Sequence, residues 1–356
     1  MINFPTQPDE LSPEWLTALL QDQGLLHSET VISVTHRTIG TGKLGSNVVL
    51  DITYSGNTNS APKSLVGKFA AHDEQTRAMA GLQGAYYAEV SFYERFAQHT
   101  PMRLPKIYFS GVSDDKLQFL LLMEDLSSYR AGSNLIGESR AHAEMALDQA
   151  AKLASSFYGS EHILNTDFVV HAARDDGGAF GQALLIEYWP KFLERFGSGL
   201  SAEAIAFGDY YAPRHAQFVS GREAPYTLAH CDFRCENMLF GEAEMVTVDW
   251  QTPSVAGLLT DCAYFLGGSV DTEDRRRWER DLIAHYHQQL LHNGVDLSVE
   301  DCWEQYRRES MHGLMIMILG ACFSQPDERG DQMFGTMIKR HLQQCLDLNA
   351  VEFLHN

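Results

Sequence analysis

What this 356-residue sequence has little of narrows its class. Cysteine is sparse. The six residues at 231, 235, 262, 302, 322 and 345 follow no regular spacing, which excludes a disulfide scaffold and fits reduced thiols in a cytoplasm. Cys231 and Cys235 form a C-x-x-x-C pair, but no second pair follows at zinc-like spacing, so packing beside a loop is the simpler reading. Long hydrophobic runs are missing as well. The longest, Gly313 to Phe323, is interrupted by glycine and reaches about half the length of a membrane span, so it is expected to be a buried helix. The first ten residues are polar, contain proline and lack a basic stretch before an apolar core, so no secretory signal is expected. Positive charge is short: 27 Lys and Arg stand against 47 Asp and Glu, a net charge of −20. That balance opposes binding to nucleic acid or to an anionic membrane, both of which need Lys/Arg patches. It leaves small molecules, neutral or cationic ones best, as the expected partners, and it says nothing of oligomeric state. No internal repeat or low-complexity tract is present, and the length allows two lobes with a sizeable core.

Two common nucleotide-binding motifs are also lacking. Ile39-Gly40-Thr41-Gly42-Lys43-Leu44-Gly45 is glycine-rich, yet a dinucleotide fingerprint must open a helix, and Ser46 to Tyr54 is β-rich instead. A Walker A loop fails for want of Gly-Lys-Ser/Thr at its spacing. Strand, glycine turn and strand remain. Either Gly40, Gly42 and Gly45 simply turn a hairpin, or they let backbone N–H groups approach phosphates where no side chain intervenes.

The stretch that organises the chain is Leu228 to Trp250, LAHCDFRCENMLFGEAEMVTVDW. It opens on His230-x-Asp232-x-x-x-x-Asn237 and ends on Asp249-Trp250. If Gly241 to Glu244 is a four-residue hairpin loop, Phe240 faces Met245 and Asn237 falls opposite Val248, one residue from Asp249. An amide oxygen and a carboxylate at one end of the hairpin would suit Mg²⁺ bound to phosphate, with Asp232 left as the free carboxylate. The bland alternative is that Asp232 and Asn237 cap a turn.

This spacing resembles that of protein kinases and, more closely, of the kinase-like small-molecule phosphotransferases: aminoglycoside phosphotransferases, choline kinases and, most of all, the ecdysteroid-kinase-like branch. The loop matches their His-x-Asp-x-x-x-x-Asn, and Val248-Asp249-Trp250-Gln251 matches their apolar-Asp-Phe/Trp segment. Glu89 to Tyr93 matches the Glu-x-x-Phe-Tyr of the branch's helix motif. The resemblance runs in order from the glycine loop to Asp261. It implies an α+β, bilobal protein-kinase-like fold, with a β-rich N-terminal nucleotide-binding lobe over 1–126, ending in a hinge, and a helical C-terminal lobe over 127–356. It implies ATP and Mg²⁺ as cofactors and a hydroxylated small molecule as acceptor.

The same resemblance implies roles. Asp232 is the catalytic residue that orients the hydroxyl and accepts its proton. Asn237 and Asp249 hold the metal. Lys68, in the strand Leu65 to Ala70, pairs with nucleotide phosphates and is held by Glu89 from a helix over Gln83 to Gln98. Gly40, Gly42 and Gly45 cover the phosphates, and Met123, Glu124 and Leu126 form the hinge beside adenine. Apart from the resemblance, the bland reading of Lys68 is an edge-strand lysine with its head in water. Lys63, in a polar turn after Pro62, and the solvent-facing Glu94 are the decoys. His230 is expected to support the loop, and Arg234 either contacts substrate or phosphate or forms a structural salt bridge. Asp261 reads as a helix N-cap, to which the resemblance adds acceptance of backbone N–H groups from the catalytic loop.

Helices are further expected over Ser12 onward, with Ser at the N-cap and Pro13 next, and over Ser139 to Tyr158. Others fall over Ala183 to Phe196 with a kink or break at Pro190, Ile205 to Phe218, Asp271 to Gly294 and Ser298 to Met317. The family's Leu-His pair is absent from Leu153-Ala154-Ser155-Ser156, and no Ala-Pro-Glu segment follows Asp249, which argues against a protein kinase. A nucleotide-binding pseudoenzyme that senses or scaffolds is the competing class. Presence of Lys68, Asp232, Asn237 and Asp249 together weighs against it.

Overall fold

The computed structural model describes residues 3–40, 44–58, 60–171 and 175–354. The chain divides into two compact units: the first holds the residues up to Gln98, Leu104–Tyr129 and Val248–Gln251, and the second holds His99–Arg103, Arg130–Thr247 and the residues from Thr252 on.

The first unit contains α1 (Pro13–Asp22), β1 (Val31–Ile39), β2 (Gly45–Tyr54), β3 (Ser64–Ala70), α2 (Glu74–Leu82), α3 (Ala85–Arg95), β4 (Ile107–Val112) and β5 (Phe119–Glu124). Its five strands run in the order β1-β2-β3-β5-β4, antiparallel at each junction. Ser12 caps α1 by accepting the Trp15 N–H at 3.2 Å, with Pro13 in the first turn. Leu16 and Leu20 of α1 then bury against Val48, Leu50, Leu65, Phe69, Leu120 and Leu122 of the sheet. Successive strand residues point to opposite faces, so with Leu65 and Phe69 in that core, Lys68 falls on the other face. There it meets Glu89 of α3. Because β3 lies between β2 and β5, Lys68 is not an edge lysine. The helix expected over Gln83 to Gln98 is α3, which begins after Gly84, at φ +73°, a conformation that glycine adopts without penalty; the preceding helix, α2, was not expected.

The second unit opens with β6 (Arg130–Ala131), α4 (Arg140–Phe157), α5 (Glu161–Leu164), β7 (Val170–His171), α6 (Asp175–Phe196), α7 (Ala202–Tyr211) and α8 (His215–Ser220). Then come β8 (Thr227–Ala229), β9 (Met238–Phe240), β10 (Met245–Thr247) and β11 (Ser254–Ala256). The unit closes with α9 (Thr260–Ser269), α10 (Thr272–His292), α11 (Val299–Glu309), α12 (His312–Phe323) and α13 (Glu328–Asp347). Every residue of α9 is buried, which makes it the central helix of this unit, with α4, α10, α11, α12 and α13 around it. Two small sheets complete the unit, β10-β9-β6 and β7-β11-β8.

Three expected helices differ from those observed. Ile205 to Phe218 breaks into α7 and α8 about Pro213, whose ring removes a helix donor. Ser298 to Met317 breaks into α11 and α12 where the Ser310 hydroxyl donates to the Arg307 carbonyl at 2.7 Å, a local bond that competes with the helix. Conversely, α6 continues through Pro190. Pro190 and Ile186, the residue four before it, are both exposed, so water can serve the carbonyl that loses its donor. The apolar run Gly313 to Phe323 lies within α12, and among the described residues no helix is long and apolar enough to cross a membrane.

Candidate active site

In the first unit the lysine of β3 sits between two carboxylates. Lys68 Nζ lies 2.7 Å from Glu89 Oε2 and 2.7 Å from Asp249 Oδ1. The Lys68 and Glu89 side chains are 10% and 1% exposed, whereas that of Asp249 is 37% exposed. Burial works against the ammonium charge, but Asp249 and Glu89 outweigh it and raise the Lys68 pKa above the ordinary lysine range. Lys63 and Glu94 stay out of this cluster, and Glu94 instead accepts the Ser110 hydroxyl at 2.8 Å. Asp249 is held at φ +68°, a left-handed conformation that costs a non-glycine residue of order 1–2 kcal/mol. Its neighbours anchor it. Trp250 is fully buried, with its ring stacked on Phe92 at 3.5 Å and 3°, and Gln251 Nε2 donates to Glu89 Oε2 at 3.1 Å.

The glycines differ in their reasons. Gly40 has φ +69° with open space around it, whereas a Cβ on Gly45 would lie 2.7 Å from the Phe69 carbonyl oxygen of the paired strand. Gly42 lies outside the described residues. Tyr86 ties the far end of this loop: its hydroxyl donates to the Leu44 carbonyl at 2.6 Å and accepts the Ala71 N–H at 3.1 Å. Met123 and Glu124 end β5, where the Glu124 N–H donates to the Lys106 carbonyl at 2.8 Å. Leu126 is buried in the turn that follows and accepts the Tyr129 N–H at 2.9 Å.

In the second unit the central hairpin has the register its sequence predicts: Phe240 faces Met245, and the Gly241 N–H closes the turn on the Glu244 carbonyl at 2.9 Å. The loop before it leaves β8 at His230. Asp261 is the second residue of α9 and not its cap, which falls at Leu259. Its carboxylate accepts the N–H groups of His230 at 2.7 Å and Cys231 at 2.9 Å, the contact that the family resemblance implies. Burial raises the Asp261 pKa, against His230 and those two N–H groups. Between them these charge-assisted bonds hold Cys231 at φ +63°. His312 Nε2 lies 3.3 Å from the Cys231 carbonyl oxygen, and His230 Nδ1 accepts the Asp232 N–H at 3.3 Å, so His230 braces the loop as expected.

Asp232 is gripped on both oxygens. Oδ1 accepts the Tyr264 hydroxyl at 2.9 Å and lies 3.3 Å from Arg234 Nε. Oδ2 accepts Asn237 Nδ2 at 3.0 Å, and the same amide nitrogen donates to the Asp232 carbonyl at 2.9 Å. With its nitrogen so used, Asn237 has its amide oxygen as the atom suited to a hard cation. Arg234 forms the salt bridge that was one of its two readings. Tyr264 and Gln251 were not singled out by sequence reasoning. Tyr264 had a signal: it stands three residues after Asp261, one helical turn away and on the same face. Gln251 had only its place after Asp249-Trp250.

A five-stranded antiparallel lobe carrying a buried lysine–glutamate pair, and a mainly helical lobe carrying the His-x-Asp-x-x-x-x-Asn loop, define a kinase-like phosphotransferase fold. The chain belongs to the ecdysteroid kinase-like family, whose model matches residues 46–298. Solved structures share the fold. A choline kinase from Cryptosporidium parvum Iowa II is 12% identical, with 96% of this chain and 98% of that chain covered and a TM-score of 0.53. A Plasmodium vivax ethanolamine kinase is 11% identical, with 93% and 87% covered and a TM-score of 0.51. A GDP complex of an aminoglycoside 2′-phosphotransferase-IIIa mutant is 12% identical, with 96% and 99% covered and a TM-score of 0.51. No curated protein matches the chain at a significant level.

Proposed function

We propose that the protein transfers the γ-phosphoryl group of ATP to a hydroxyl of a small organic molecule. The observation that carries this reading is the buried ammonium of Lys68, shared between Glu89 and Asp249 at 2.7 Å each. A cation fixed in this way is suited to the charge of a triphosphate, and Glu89 keeps it aimed when Asp249 turns to other work. Asp232 orients the acceptor hydroxyl and takes its proton. The acceptor oxygen forms a bond to Pγ, the bond from Pγ to the bridging oxygen breaks, and ADP leaves with that electron pair. Positioning is the main contribution of such a carboxylate, since it is a weak base.

Among the described residues no group of three or more His, Cys, Asp or Glu side chains is gathered as a metal cage. The amide oxygen of Asn237 and the carboxylate of Asp249 are hard donors that fit Mg²⁺, which commonly takes its other ligands from phosphate and water. Mg²⁺ bound to them would offset the repulsion between the phosphates and the incoming oxygen. Gly40, Gly42 and Gly45 would lie over the phosphates, and Met123, Glu124 and Leu126 beside the base of the nucleotide.

The test is ATP-dependent phosphate transfer to a panel of hydroxylated metabolites, with and without Mg²⁺, in wild type and Asp232→Asn. Transfer that needs Mg²⁺ and is lost in the variant is expected. Transfer unchanged in Asp232→Asn overturns the reading, and binding of MgATP without any turnover gives the protein the role of a nucleotide sensor or scaffold.

A further inference from the structure

We propose that Tyr264 is a positioning residue that makes Oδ2 of Asp232, and not Oδ1, the atom that takes the acceptor's proton; this rests on the phosphotransferase reading above. Each carboxylate oxygen offers two lone pairs. Oδ1 faces the Tyr264 hydroxyl at 2.9 Å and the Arg234 guanidinium at 3.3 Å. Oδ2 meets the Asn237 amide at 3.0 Å, which leaves it a lone pair for a hydroxyl. The terminal torsion of an aspartate is broad and roughly two-fold, so the backbone alone does not decide which oxygen points where. The phenol does.

The phenol is itself fixed. Tyr264 is fully buried, stacked on His341 with ring centroids 5.2 Å apart at 12°, and set edge-on to His312 at 5.6 Å and 79°. Space for the His341 ring comes from three glycines: a Cβ on Gly267, Gly268 or Gly313 would lie 2.5, 2.8 or 2.3 Å from it. Burial lowers the pKa of His341 to about 3 and that of His312 to about 4. Both rings are therefore neutral near pH 7 and add no cation beside Asp232. The same helix thus serves the loop twice, holding its backbone through Asp261 and its carboxylate through Tyr264, one turn apart. In the step itself the acceptor O–H bond breaks toward Oδ2 while its oxygen bonds to Pγ and ADP departs.

Phosphate transfer from MgATP is measured for wild type and Tyr264→Phe with the acceptor that wild type uses best in the panel, and with water in parallel. Nucleotide affinity is measured by calorimetry with the Mg²⁺ complex of a non-hydrolysable ATP analogue. The expected result is a fall in kcat of about 10- to 100-fold, with the KM for ATP and the analogue's Kd held within about twofold. In Asp232→Asn the further change Tyr264→Phe is expected to cost nothing more, because the two groups act as a unit. An unchanged kcat in Tyr264→Phe, an equal loss of nucleotide binding, or additive losses in the double variant each overturn the proposal. Should Tyr264→Phe fail to fold, His341→Leu keeps the hydroxyl and removes only the ring behind it. A lowered kcat with intact nucleotide binding is expected there, and an unchanged one overturns the proposal. A wild-type protein that transfers phosphate to no acceptor fails the phosphotransferase reading and this inference with it, whereas wild-type transfer that Tyr264→Phe leaves untouched fails this inference alone.

Discussion

Replacing Lys68 by methionine removes the cation that Glu89 and Asp249 share and keeps most of the volume. The two carboxylates then fare differently. Asp249, with a side chain 37% exposed, regains water, but Glu89 is 1% exposed and retains, among the described residues, only the Gln251 amide at 3.1 Å as a donor. Breaking a buried ion pair from one side costs about 3–5 kcal/mol, because a charge is left without compensation. Glu89 can escape that cost by binding a proton. Burial already raises its pKa in the wild type, where the charge of Lys68 opposes the rise; without Lys68 the opposition is gone.

The folded variant then binds more protons than the unfolded chain, so its stability falls as pH rises, at about 1.4 kcal/mol per pH unit for one proton. The contribution is fully present below the ordinary carboxylate range and lost as pH climbs through the raised folded value. A penalty of 3–5 kcal/mol is spread at that slope over about two to four pH units. Urea unfolding of wild type and Lys68→Met at about pH 5 and about pH 8 is therefore expected to show a stability gap that widens toward pH 8 by about 3 kcal/mol. A gap that is the same at both values, or larger at pH 5, refutes the reasoning.

Asp261→Asn keeps the shape of the side chain that holds the loop at His230 and Cys231 but replaces one charged acceptor oxygen by an amide. With two backbone donors affected, a stability loss of about 2–4 kcal/mol by denaturant unfolding is expected. At Cys231, φ +63° favours glycine. Cys231→Gly is expected to stay within about 1 kcal/mol of wild type, as relief of the backbone offsets the lost buried sulfur, whereas the β-branched Cys231→Val is expected to lose at least about 2 kcal/mol. Gly45→Ala places a methyl 2.7 Å from the Phe69 carbonyl oxygen. It is expected to cost about 1–3 kcal/mol in thermal or urea unfolding.

The legible parts of this chain were those where local pattern and tertiary role agree. The hairpin of β9 and β10 was fixed by two apolar runs around a polar turn, and its register followed from counting residues. Lys68 could be chosen over Lys63 because Lys63 sits in a polar turn after Pro62, and Glu89 over Glu94 because Glu94 faces solvent while Glu89 opens the family's Glu-x-x-Phe-Tyr motif. Breaks inside helical stretches were harder to read. Ser310 and Pro213 each interrupt a continuous apolar period, and Pro190, the strongest breaker of all, interrupts nothing because its lost bond faces solvent. The short strands β6, β7, β8 and β11, two or three residues each, carry too little pattern to announce a sheet. Tyr264 was hidden in an apolar run, since a buried phenol reads as core until the carboxylate it donates to is known.

Four residues, Val248–Gln251, belong to the first unit although the chain on either side of them belongs to the second. A nascent chain that has left the ribosome only as far as Tyr129 therefore lacks Asp249 for Lys68, Gln251 for Glu89 and the indole that covers Phe92. Completion of the N-terminal lobe must wait for some 120 more residues to be synthesised, and at typical elongation rates of about 5–20 residues per second that interval lasts seconds. A gene fragment ending at Tyr129 would encode a lobe with an unfinished floor.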